Sequence, residues 1–224
     1  MTIPLLQQTP NRSHEEQTET DYIKASLVES ERVQPGFPPN FGEVVKGVYR
    51  SSFPAAYNLR PLKHLGLKTI ITLVDEPYTP SHTSFFAEHG IKSIRIPVQA
   101  NKDPAIKTSP KTINDILEIL LNKANHPILI HCNKGKHRTG CVVACFRKLQ
   151  GWNLDDVTQE YHKYAWPKAR PLDLQYIEQF DNTALGDLAL ASGVKSWRPT
   201  GKYTDLEPES HDQSSPGSLT NGSC

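Results

Sequence analysis

No stretch of eighteen consecutive apolar residues occurs in the sequence, so it offers no membrane-spanning helix. Met1 to Pro10 also lacks the basic start and apolar run of a secretory signal, and the resulting expectation is a soluble, cytoplasmic protein. An excess of charge of one sign is missing too: 25 Lys+Arg face 24 Asp+Glu, a formal net charge of +1. That balance argues against a surface that holds nucleic acid or anionic lipid over its whole extent, so any attraction for anions must be local. The four cysteines, at 132, 141, 145 and 224, form no paired CxxC sets, which argues against a disulfide scaffold and against structural zinc. No metal site is expected. No internal repeat of fixed period is visible either.

What is present is organised around one middle segment. Residues 1–36 are rich in Gln, Thr, Glu and Ser with few apolar residues, too few to offset the entropy of ordering them, and are expected as a disordered arm. Residues 196–224 repeat that composition with more Pro, Gly and Ser and are expected as a disordered tail. Residues 37–195 then form a single domain. Within it TIITLV (69–74), SIRIPV (93–98) and PILIHC (127–132) have strand length and β-branched content, with GVYRSS (47–52) a weaker fourth. A helix is expected from Ser109, which can cap it, with Pro110 at its first position and Ile113, Ile116, Leu117, Leu120 and Leu121 on one face. TGCVVACFRKLQ, from Thr139, reads as a buried helix stopped at Gly151; further helices are expected over 154–165 and from Pro171, where Leu174, Tyr176, Ile177 and Phe180 make a core stripe. Strands joined through helices give an α/β fold with a central sheet flanked by helices, the strand ending at Cys132 lying in its interior.

The chemistry concentrates in HCNKGKHRTG, residues 131–140. With a strand before it and a helix after it, this loop lies where unpartnered helix amides and the positive end of the helix dipole attract anions. Gly135 lets the loop backbone approach a ligand, Gly140 lets the helix start pack tightly, and Arg138 supplies a planar fork matched to two phosphate oxygens. Cys132 at the foot of the loop is surrounded by Lys134, Lys136, Arg138 and His137, all of which favour a thiolate that a free cysteine, with a pKa of roughly 8.5, would not hold near neutrality. Thr139 can donate its hydroxyl to the sulfur as it leaves in a second step. Cys141 and Cys145 fall on the apolar face of the following helix and read as core, and His131 reads as a residue that orders the loop through hydrogen bonds.

The same ten residues resemble the HCxxGxxR[ST]G signature of the cysteine-dependent phosphatases. The longer run PILIHCNKGKHRTGCVVACFRKLQGW is similar to the plant and fungal atypical dual-specificity phosphatases, whose members include inositol pyrophosphate phosphatases. The likeness extends to NFGEVVKGVYRSSFPAAYNL, LKTIITLVDEPY, NKDPAIKTSP and EYHKYAWPKAR and covers about Phe37 to Phe180. It implies a phosphatase-type sheet, a cysteinyl-phosphate intermediate and no cofactor.

A two-step thiol phosphatase protonates its leaving oxygen from a nearby carboxylic acid. Asp103, on the loop between SIRIPV and the Ser109 helix, is the first candidate, with Asp75 and Glu76 behind it; where the resembled family often carries Glu, this chain has the shorter Asp. Cleaving a phosphoanhydride releases a phosphate whose second pKa is roughly 6, whereas a tyrosine ester releases a phenol of roughly 10. A weakly placed acid therefore suits anhydride cleavage better. Substrate contacts are expected from Asn133, Lys134, Gly135, Lys136 and His137 in the loop and from Asn101 and Lys102 beside it, giving many cations for a polyanionic small molecule. The expected reaction is hydrolysis of the β-phosphate of inositol pyrophosphates. The alternatives are a protein tyrosine or dual-specificity phosphatase acting on phosphoproteins, an idle phospho-ligand binding module, and rhodanese-type sulfur transfer, against which Thr139 and Gly140 argue.

Overall fold

The computed structural model describes residues 36–105 and 108–203. Its sheet has five strands, β1 (Gly42–Val45), β2 (Val48–Ser51), β3 (Thr69–Thr72), β4 (Lys92–Arg95) and β5 (Ile128–His131), in the spatial order β1-β2-β5-β3-β4. Only β1 runs antiparallel to its neighbour; β2, β5, β3 and β4 are mutually parallel. The strand that leads to Cys132 is thus the central one, as its unbroken apolar run requires. In register, Ser51 and Thr72 flank His131, and this row marks the carboxyl edge of the sheet.

Alternation along the strands decides which face each side chain covers. Ile128 and Ile130 of β5, with Val48 and Ile71, pack against α3 (Pro110–Leu121) and α4 (His137–Leu149) through Ile113, Ile116, Leu117, Leu120, Val142, Cys145 and Phe146. Leu129, Tyr49 and Ile70 point the other way, onto α1 (Leu59–Lys63) and α2 (Pro80–Glu88) through Leu59, Leu62 and Phe86. A third cluster joins α4 to α5 (Leu154–Ala165) and α6 (Pro171–Gln179) around Ala144, Val157, Tyr161 and Ile177; α7 (Gly186–Ser192) follows. Among the described residues no helix is long and apolar enough to cross a membrane.

Several details differ from the sequence expectations. Strand β1 was not expected: it is an edge strand of four residues, tied to β2 through the Lys46–Gly47 turn, where Gly47 takes φ +82°. The expected strand 93–98 is β4, which ends at Arg95 and is largely exposed, with Lys92 and Arg95 on a sheet edge. Ser109 stands at the cap position of α3 without a side-chain cap bond; Pro110 already removes one of the orphan amides there. Helix α4 begins at His137 rather than Thr139, so Arg138 sits in its first turn. Finally, residues 196–203, assigned by composition to the tail, lie along β1. The Lys46 N–H donates to the Arg198 carbonyl, Thr200 donates its N–H and hydroxyl to Glu43 Oε2 (both 2.7 Å), and Tyr203 packs on Phe37, Phe41 and Tyr49. Trp197 and Tyr203 are the apolar anchors that a Pro/Gly/Ser-weighted composition conceals. Apart from Gly36, the arm, residues 1–35, lies outside the described residues, as do 204–224.

Candidate active site

The carboxyl edge of the sheet opens into a cleft of about 280 Å³ lined by Cys132, Lys134, His137, Arg138, Lys102 and Arg170, with Asn133, Asp75 and residues 97–100 completing the wall. Strand β5 delivers Cys132 to its floor, 3% exposed, and the turn 133–136 carries the chain into α4.

That turn is gripped from behind by three donors. Phe53 N–H donates to the Asn133 carbonyl (3.2 Å), Asn40 Nδ2 to the Lys134 carbonyl (2.8 Å) and Arg50 Nη2 to the Gly135 carbonyl (2.8 Å). In a trans peptide the N–H points opposite to the preceding C=O. Fixing three successive carbonyls on one side therefore turns the amides of Lys134, Gly135 and Lys136 to the other, which is the arrangement a bound anion requires. Gly135 is obligatory for this geometry. It takes φ +68°, and a Cβ there would meet the Ser51 carbonyl carbon and oxygen at 2.6 Å and the Ser52 nitrogen at 2.7 Å. Gly140 has a separate reason: a Cβ would stand 3.0 Å from the Tyr161 ring, where α4 and α5 cross.

The cleft's charge is one-sided. None of Lys102, Lys134, Arg138 or Arg170 forms an ion pair with a described carboxylate, and Asp75 is the single acidic residue among those lining the cleft. Glu76 sits close by: Asn133 Nδ2 donates to it at 2.8 Å, and that hydrogen bond first, then one from its own backbone N–H, with a smaller part from the Arg138 charge, hold its carboxyl below the usual range. His137 donates Nε2–H to the Lys168 carbonyl (2.7 Å), and its pKa is lowered, chiefly by burial, so it lines the cleft as a neutral imidazole near pH 7. His131 is fully buried, with Nε2 paired to the Tyr78 hydroxyl; burial pushes its pKa down to about 3. Thr139 is buried at the start of α4 and its hydroxyl finds no hydrogen-bond partner, leaving a donor available there.

Three residues expected at the site stand elsewhere. Lys136 Nζ donates to the Trp166 carbonyl (3.0 Å) and does not line the cleft; with His137 it clamps the turn to the segment after α5. Asn101 is buried, its amide donating to Asp173 Oδ1 (3.0 Å) and its oxygen accepting from Thr108 (2.9 Å from Oγ1), so it braces the loop rather than facing a substrate. Asp103 accepts from the Ala105 N–H (2.9 Å) and lines a separate cavity of about 160 Å³ against α6, in place of the cleft that holds Cys132. A short acidic side chain before Pro104 closes its own turn first. Cys141 and Cys145 are core residues whose thiol pKa values burial raises.

Arg170, Arg50 and Asn40 were not singled out by sequence. Arg170 comes from the segment before α6, and the basic run PKAR was its only signal. Arg50 did leave a trace, a charged residue inside an interior strand; it is 1% exposed, its guanidinium carbon 3.5 Å from the centre of the Tyr164 ring.

Comparison with known proteins adds four findings. The tyrosine phosphatase family model matches residues 37–195. The inositol diphosphatase SIW14 of Saccharomyces cerevisiae is 44% identical over 163 residues, 72% of this chain and 57% of that protein, so the match spans little more than half of the yeast relative's length. The inositol diphosphatase DSP1 of Oryza sativa subsp. japonica is 43% identical over 151 residues, 67% of this chain and 68% of that one. Among solved structures, the core catalytic domain of the S. cerevisiae PP-IP phosphatase SIW14 in complex with citrate superposes with a TM-score of 0.67 at 41% identity, covering 72% of this chain and 98% of that one.

Proposed function

Since this chain belongs to the tyrosine phosphatase family, we propose that the cleft above Cys132 is a phosphatase site and that it hydrolyses the β-phosphate of inositol pyrophosphates. The Cys132 sulfur attacks the terminal phosphorus in line with the bridging oxygen. The P–O bond to the leaving phosphate breaks as the S–P bond forms, giving a cysteinyl-phosphate and an inositol polyphosphate. Water then attacks the same phosphorus, inorganic phosphate departs, and Thr139 stabilises the returning sulfur anion with its hydroxyl. The amides of 134–136 and the Arg138 fork hold the equatorial oxygens throughout.

The observation that carries this reading is the pairing of an amide-lined turn over one buried cysteine with four unpaired cations and one carboxylate in the same cleft. A phosphomonoester on a peptide uses the turn and Arg138 alone, whereas a substrate with phosphates around a ring also uses Lys102, Lys134 and Arg170. The relatives named inositol diphosphatases supply the same substrate class. Asp103 standing outside the cleft fits too, because a phosphate leaving group needs little protonation.

The test is a parallel assay of the purified full-length protein on a pyrophosphorylated inositol and on phosphotyrosine peptides, with Cys132→Ser as the control. Faster turnover of the first, abolished in the variant with binding retained, supports the reading; the reverse ranking makes the protein a tyrosine phosphatase. Turnover that survives Cys132→Ser rejects the thiol route altogether.

A further inference from the structure

A second cavity, of about 450 Å³, lies at the opposite end of the sheet, where Gly47 precedes β2 and Pro127 precedes β5. Pro127, His126 and Trp197 form its walls, and Lys46, Lys123 and Arg198 its rim. The Lys123 ammonium lies 4.9 Å from the centre of the Trp197 ring, and His126 meets the same indole edge-on at 5.5 Å. None of the three rim cations pairs with a described carboxylate; Arg198 Nη1 reaches only the backbone carbonyls of Lys195 and Trp197. A ring of unpaired cations around an indole suits an acidic segment with one apolar side chain.

The chain itself contains such a segment, beginning six residues after Arg198 in sequence. Residues 204–212, TDLEPESHD, hold Asp205, Glu207, Glu209 and Asp212 around Leu206, and 204–224 contain no Lys or Arg. Residues 36–203 carry 22 Lys+Arg against 14 Asp+Glu, so the near-neutral whole chain conceals a basic domain with acidic ends. Reach is sufficient. The Arg198 and Tyr203 carbonyls accept from the Lys46 and Glu43 N–H groups, three residues or about 10 Å apart along the chain, and beyond Tyr203 the chain can span about 10 Å to Leu206 and about 30 Å to Asp212. Tethering at an effective concentration on the order of millimolar closes even a contact too weak to hold a separate peptide.

We propose that residues 204–212 dock on the Lys46–Lys123–Trp197–Arg198 cavity, with their carboxylates on the rim and Leu206 against the indole. The acidic segment is thereby held at the end of the sheet remote from Cys132, where it does not compete with anions for the cations of the catalytic cleft.

The test is zero-length carbodiimide coupling of the full-length protein, read by peptide mass spectrometry, alongside amide exchange. Coupling of Asp205, Glu207, Glu209 or Asp212 to Lys46 or Lys123 within one molecule is expected, lost at 1 M salt. Exchange at 204–212 is expected to run about fivefold slower than in Lys46→Glu/Lys123→Glu. Both lysines are exposed, so that variant keeps its core. The tail variant Asp205→Asn/Glu207→Gln/Glu209→Gln, which alters nothing in the domain, should speed exchange equally. Coupling to Lys102 or Lys134 of the catalytic cleft overturns the proposal. So do coupling between molecules in an isotope-mixed sample, occupation of Lys46 and Lys123 by residues 1–35, and exchange at the intrinsic rate.

Discussion

Arg50 and Gly135, 85 residues apart, meet through one hydrogen bond of 2.8 Å that is buried on both sides. It fixes the third carbonyl of the 133–136 turn, and the Tyr164 ring over the guanidinium fixes Arg50 in turn. Lysine lacks the planar fork and the stacking face, so Arg50→Lys should lower kcat by about tenfold or more and cost about 1–3 kcal/mol for the unpaired carbonyl, read from steady-state rates and urea melts. Gly135→Ala should be worse. Its Cβ meets backbone rather than a movable side chain, so turnover should fall below detection while α3 and the far face of the sheet keep their exchange protection.

Burial of His131 gives stability a pH dependence whose sign is fixed. Its folded pKa of about 3 lies below the unfolded value of 6.5. Between these the unfolded chain binds a proton that the native state refuses, so stability is whole above about 6.5 and falls as pH drops toward 3, by about 1.4 kcal/mol per unit from this group alone. Chemical melts of wild type and His131→Asn at successive pH values should converge on acidification. Parallel curves would show that His131 does not titrate as its burial implies.

The turn was legible because its chemistry is contiguous: Cys132, Gly135, Arg138 and Thr139 lie within eight positions, and strand and helix periods place them. The interior strands were legible for the same local reason. What sequence could not supply was the third dimension. Arg170 and Asp75 join Cys132 only because α5 and α6 fold back over α4 and because β3 ends beside β5. Asn101 and Asp103 have the right chain position for a site loop, yet a buried partner, Asp173, and a local turn take them. Helix α2 leaves no periodic signal in the sequence, since only His82 and Phe86 of its nine residues are buried, too sparse a pattern to mark a face.

The placement of the two aspartates predicts which one moves protons. Asp75 lines the cleft and Asp103 does not. On an aryl phosphate with a poor leaving group, Asp75→Asn should lower kcat by about 10²-fold and Asp103→Asn by less than about twofold. On a phosphoanhydride the Asp75→Asn loss should shrink below about tenfold, since the departing phosphate needs no strong acid. A larger loss in Asp103→Asn on both substrates would mean that its loop swings into the cleft when substrate binds.

Arg170 separates the two substrate classes most sharply. It lines the cleft with Arg138 but arrives from a different segment, so under the proposed function it meets a phosphate other than the one Cys132 would attack. A charge-assisted hydrogen bond of that kind contributes about 1.5–3 kcal/mol, so Arg170→Ala should raise KM for a pyrophosphorylated inositol by about tenfold to a hundredfold while kcat changes little. A small aryl phosphate, which has no second phosphate to offer, should show almost no change. The difference should also fade with salt, because the contact sits at the rim of an open cleft where mobile ions screen it. An equal loss on both substrates would place Arg170 on the reacting phosphate and make it a partner of Arg138 in the chemical step.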